Sequence, residues 1–150
     1  MQRSIFNKKF IALTSYIIFF IIYESLSNIY LFLPPLFAVL FVLFIRKIKQ
    51  DDALFVFSIA FCLLIYEADK GFLAFSSIIY FALIYRFVVP KIVKNFGCEP
   101  CVNITYVSLA YMGFFLFSLL LARIFETPEP ALSYYIIYYI VIEFFLVSML

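Results

Sequence analysis

Hydrophobic residues in this chain come in six runs: Phe10–Tyr23, Ile29–Ile45, Ala53–Tyr66, Phe72–Val89, Val102–Ala122 and Ala131–Leu150. A membrane-crossing helix needs about 20 apolar residues, so six runs with short connections nearly exhaust the 150 residues. The pattern predicts an all-α membrane protein of six transmembrane helices, forming a single integral membrane domain over residues 1–150. The organising stretch is Phe61–Phe87, two apolar segments folded back on each other at Glu67-Ala68-Asp69-Lys70-Gly71. There Gly71 permits the positive φ that ends a helix.

The polar interruptions define the remaining boundaries. Glu24, Ser25, Ser27 and Asn28 are expected to form a short polar turn. Pro34 and Pro35 fall in the first turns of the second run, where a missing backbone N–H costs least. Arg46-Lys47-Ile48-Lys49-Gln50-Asp51-Asp52 closes that run, and Asp51 and Asp52 suit the start of the next helix as caps and against its dipole. The third run is short for a hydrocarbon core of about 30 Å and is expected to borrow a turn from its flanks. Pro90–Cys101 is the most polar connector, and 123–130 reads as a tight, Pro-stiffened loop.

Composition identifies the solvent. The chain is 67% hydrophobic and 13% charged, against about 45–50% and 25% in soluble domains, so lipid must cover most of it. The basic segment Met1–Lys9 ahead of Phe10–Tyr23 resembles a signal peptide, but no A-x-A-like cleavage site follows, and an uncleaved first helix is the better reading. A net charge of +2 gives no basis for nucleic-acid binding. The absence of His removes imidazole triads, imidazole proton relays and most metal sites. With the N-terminus inside, Arg3, Lys8, Lys9, Arg46, Lys47, Lys49, Arg86, Lys91 and Lys94 fall on the inner side, and only Lys70 and Arg123 on the outer. The positive-inside rule therefore puts both termini in the cytoplasm. Tyr134, Tyr135, Tyr138 and Tyr139 fit an aromatic belt at the outer interface.

Few residues offer chemistry. Cys98-Glu99-Pro100-Cys101 has the C-x-x-C spacing of a redox pair or half a zinc site. An intrachain zinc site lacks further soft ligands, and the inner face keeps thiols reduced. Glu143 is the one acidic residue well inside a run, and an ionisable group there is a functional candidate. Arg86 and Ser118 are its expected partners, with a structural hydrogen bond or ion pair as the plainer role. Glu67 and Asp69 stand two apart, a spacing that turns them to different sides of a helix, so they do not form an acid–base pair. Capping and hydration of the turn is their plainer role. Ser76, Ser77 and Gly113 could allow close helix approach. Nothing argues for catalysis, a cofactor or a metal.

The stretch Tyr30–Phe87 resembles the MreD family, the small polytopic subunit of the bacterial rod-shape machinery. Pro35 near the start of the second run, the basic loop, the acidic Glu67 closing an apolar run, Gly71 four positions on and Ser76-Ser77 opening the return helix stand at corresponding places. The family has Asp where this chain has Glu67, and a second Gly at about the place of Phe75. The resemblance implies a non-enzymatic scaffold in the bacterial inner membrane that binds a single-span MreC-like protein. It would thereby help link MreB filaments to RodA and penicillin-binding protein 2. Pro35, Glu67, Asp69, Gly71, Ser76, Ser77 and Glu143 are then the candidate partner-binding or structural positions. The implied architecture is similar to that of energy-coupling-factor substrate-binding subunits. Two alternatives stay open: a small-solute transporter or its membrane substrate-binding subunit, and a membrane thiol oxidoreductase using Cys98 and Cys101.

Overall fold

The computed structural model describes residues 2–129 and 134–149. The start of the predicted sixth run, 131–133, and its last residue, 150, lie outside the described residues. Among the described residues the chain is helical with no strand: α1 (Gln2–Ile29), α2 (Phe37–Lys49), α3 (Ala53–Lys70), α4 (Ser76–Phe87), α5 (Val89–Asn95), α6 (Glu99–Ser108), a π-helical turn (Leu109–Gly113), α7 (Phe114–Phe125) and α8 (Tyr135–Met149). Two helical stretches, Gln2–Ile29 and Glu99–Phe125, are long and apolar enough to cross a membrane. A third is reached if α4 and α5, bent by 42° between them, are taken as one. These features make the chain a helical membrane protein.

Several boundaries differ from the sequence reading, each for a local reason. The polar turn expected at Glu24–Asn28 is instead the last part of α1. Nothing there breaks a helix, and the Ser25 hydroxyl donates back to the Ile21 carbonyl at 2.9 Å. The break comes at Tyr30–Leu36, because Pro34 and Pro35 push the residues before them out of the helical region. They precede α2 rather than occupying its first turns. Asp52 does stand at the start of α3, but its side chain makes no capping bond; it faces Lys9 of α1 at 3.9 Å. α3 continues past Tyr66 to Lys70, and Gly71 ends it in the left-handed region at φ 73°. The connector expected over Pro90–Cys101 is half α5, since Pro90 sits in the helix's first turn where it is tolerated, and its last three residues open α6. That leaves only 96–98 between α5 and α6.

α2 lies at the centre, packed on α3, α4, α6 and α8. Its Phe37 and Phe41 stack into an aromatic core with Tyr66, Phe81 and Phe114, with ring centroids 4.8–5.1 Å apart. α1 is peripheral and packs on α3, with Phe10, Ile18 and Phe19 exposed along its outer side.

The long segments alternate between two ends of the bundle. At one end Lys9 meets Asp52, and Arg46, Phe96, Cys98 and Ser148 line a common cleft. At the other, the Tyr23 and Ser27 hydroxyls donate to the Pro34 and Leu33 carbonyls, Lys70 donates to Asn28, and Tyr139 donates to the Leu31 carbonyl. The first end carries most of the basic residues; the second carries the tyrosines of α8.

Gly113 closes the π-helical turn because the Tyr80 ring lies against it. The Tyr80 hydroxyl donates to the Leu109 carbonyl at 2.7 Å, and a Cβ at Gly113 would collide with that hydroxyl. Gly113→Ala is therefore expected to destabilise the chain by about 2 kcal/mol through overpacking. Adding Tyr80→Phe, which removes the colliding oxygen, should recover part of the loss in thermal melts of the detergent-solubilised protein.

Candidate functional site

The tyrosine-bearing end has two helices that begin below the surface of the bundle. α2 has 13 residues and α4 has 12. At 1.5 Å per residue each is only about 20 Å long, short of a full hydrocarbon core. Each is preceded by irregular chain. A helix start leaves its first N–H groups without intrahelical acceptors, and in apolar surroundings those groups must be satisfied by protein.

At α4 the acceptor is Glu67. Its carboxyl group receives the Phe75 amide at 2.7 Å, the Ser76 hydroxyl at 3.1 Å, and both the amide and the hydroxyl of Ser77, the latter at 2.6 Å. All four contacts are donors, so both oxygens act as acceptors. Glu67 sits at the end of α3 and caps the next helix across the Gly71 turn.

At α2 the acceptor is Glu143, supplied by α8 from 105 residues away. One oxygen receives the Ala38 amide at 2.7 Å and the Val39 amide at 3.2 Å. The other receives the Tyr111 hydroxyl from the π-helical turn. Arg86 and Ser118, the partners expected from sequence, do not reach it: Arg86 is exposed at the opposite end, and the Ser118 hydroxyl has no hydrogen-bond partner.

The two starts share a further feature. Leu36 and Phe75, the residues that open α2 and α4, are both left-handed, with φ of 56° and 68°. That conformation costs a non-glycine residue about 1–2 kcal/mol. The buried carboxyl groups offset this and draw on the positive end of the helix dipole.

The remaining candidates fall around these caps. Pro35 precedes the α2 start and lines a cavity of about 210 Å³ with Tyr66, Lys70, Tyr111, Ser118 and Tyr139. Ser76 and Ser77 are buried against Glu67, whereas Asp69 is exposed. Thus Glu67, Gly71, Ser76 and Ser77 come together in one turn, while Glu143 and Pro35 belong to the neighbouring helix start.

Sequence reasoning missed Tyr111, Leu36 and Phe75, and read Glu24 as a loop residue. Glu24 is fully buried and neither carboxyl oxygen has a hydrogen-bond partner; Lys70 and Asp69 are its charged neighbours. The signal for its place in a helix was the lack of any Gly or Pro between Phe10 and Asn28.

Cys98 and Cys101 are free thiols at the basic end. A hydrogen bond with Cys101 holds the exposed Cys98 thiol below its ordinary range. Among the described residues no group of three or more Cys, Asp or Glu side chains is arranged to hold a metal ion. No family model, curated protein or solved structure matches this chain.

Proposed function

We propose that the chain is a non-enzymatic membrane scaffold of the MreD type in the bacterial inner membrane. It would bind a single-span MreC-like protein and so help couple MreB filaments to RodA and penicillin-binding protein 2. The observation that carries this reading is the conformation of the α3–α4 turn. MreD-type chains usually have an acidic residue and a glycine here, with a second glycine at about the place of Phe75. In this chain Glu67 holds the turn, and the two positions matching those glycines, Gly71 and Phe75, both have positive φ. Left-handed backbone at these two places is what supports the resemblance.

Six segments crossing with both termini cytoplasmic is the topology that goes with this function. The alternation of segments between a basic end and a tyrosine-bearing end supports it, in keeping with the positive-inside and aromatic-belt rules. Asp69 and Phe75, both exposed beside the capped turn, are the side chains the turn offers to a partner.

The test is a pull-down of the tagged chain from detergent-solubilised membranes. A single-span MreC-like protein should co-purify. Asp69→Arg with Phe75→Ala should reduce its recovery by about tenfold, the loss of about 1.4 kcal/mol of binding, while the variant melts like the wild type. Recovery of the wild type without such a partner would overturn the scaffold reading.

One observation favours a second reading, a small-solute transporter or substrate-binding subunit. The cavity beside Pro35 has aromatic walls and a buried serine hydroxyl, Ser118, with no partner. A small molecule co-purifying with the wild type and lost on Ser118→Leu would move that reading to first place.

A further inference from the structure

We infer that the cleft at the basic end is a binding site for the phosphate headgroup of an acidic phospholipid. Two adjoining cavities, of about 530 Å³ and about 500 Å³, share Lys49 at the end of α2. The first adds Arg46; the second adds Arg86 and Lys94. Arg86 comes from the last turn of α4 and Lys94 from the last turn of α5. The 42° bend between those helices folds α5 so that both cations face one cavity. The Lys9–Asp52 and Arg123–Glu129 ion pairs do not involve Lys49, Arg86 or Lys94. Lys49, Arg86 and Lys94 also make no side-chain hydrogen bond among the described residues. Glu99 is the one acidic residue lining either cavity.

Three unneutralised cations around one opening attract a compact anion able to accept from several donors at once, and a headgroup phosphodiester, with one negative charge shared by two non-bridging oxygens, has that character. The walls decide its source. Val42, Ile45, Val89 and Val93 line the cavities beneath the cations, and Val93 and Phe87 continue the apolar surface outward, half or more exposed. α5 packs Val89 and Ile92 into the bundle and exposes Lys91, Val93 and Lys94, so its outer side sets cations beside an apolar residue. Acyl chains can run along that surface below a bound headgroup, whereas a free phosphate would use only the rim. Basic pockets between membrane helices on the cytoplasmic side bind acidic headgroups on the same principle.

The test uses the full-length chain in neutral detergent. Native mass spectrometry follows retention of added phosphatidylglycerol, with phosphatidylcholine and inorganic phosphate as the other probes. One phosphatidylglycerol should be retained about a hundredfold more strongly than phosphatidylcholine, the scale expected for three Lys or Arg contacts of about 1 kcal/mol each. The preference should shrink as salt rises from 0.1 to 1 M, because salt screens exposed charges over about 10 Å at the lower concentration. Lys49→Gln, Arg86→Gln and Lys94→Gln together should abolish it without moving the melting temperature, and Arg123→Gln at the opposite end should leave it intact. Three results would each overturn the inference: equal retention of both lipids, a preference unaffected by salt or by the triple substitution, or displacement of phosphatidylglycerol by equimolar inorganic phosphate. If the triple variant fails to fold, the salt series on the wild type decides alone.

Discussion

Glu143→Ala is expected to lower the stability of the bundle by about 4 kcal/mol, the upper range for a single substitution. The change leaves three donors without an acceptor: the amides of Ala38 and Val39 and the Tyr111 hydroxyl. Each unsatisfied buried donor costs about 1–3 kcal/mol. Glu143 is fully buried, and the α2 start it serves packs against the aromatic core. Tyr111→Phe removes one donor together with its need for an acceptor, and should cost about 1 kcal/mol. Glu143→Ala on a Tyr111→Phe background should then cost less than on the wild type, the coupling expected of groups in one network. Melting can be followed with a thiol-reactive dye at Cys62, which is fully buried. Cys98 and Cys101, which are not buried, would first be replaced by Ser.

The second large effect is at Glu67. Glu67→Ala should cost about 3–4 kcal/mol, since it strips the Phe75 and Ser77 amides and two hydroxyls of their acceptor. The serine hydroxyls can turn to other acceptors, which makes the loss somewhat smaller than at Glu143. Glu67→Gln keeps the side-chain shape but points an NH₂ group at donors, so it should recover less than half of the loss. Ser77→Ala removes one bond and leaves its amide held, and should cost about 1 kcal/mol. The same dye assay at Cys62 measures all three.

These two sites mark where the sequence is informative and where it is silent. The α3–α4 turn was legible, because its parts lie within about ten residues and Gly71 announces the positive φ. That Glu67 faces inward was not. The same residue could hydrate the turn or cap the next helix, and only the helix start below the surface decides between them. The cap on α2 was invisible for a stronger reason: its acceptor comes from α8, 105 residues away, and no local pattern marks such a pairing. Arg86 was a natural partner for Glu143 by charge, yet a buried carboxyl group beside an uncapped helix start is served better by amides than by a mobile cation. Pro34 and Pro35 signalled a break but not its side. Because they end the preceding conformation, α2 starts two residues after them. Glu24 shows the opposite failure, in which polar composition suggested a turn although the backbone had every reason to stay helical.

α2 and α4 start inside the bundle and are capped there by Glu143 and Glu67. Residue-resolved hydrogen–deuterium exchange at the amides of Ala38, Val39, Phe75 and Ser77 tests this most directly. In the wild type all four should be protected like mid-helix amides, although helix-start amides normally exchange fast. Glu143→Ala should release only Ala38 and Val39, and Glu67→Ala only Phe75 and Ser77. Fast exchange at both helix starts in the wild type, or protection that survives loss of the matching carboxyl group, would contradict the account.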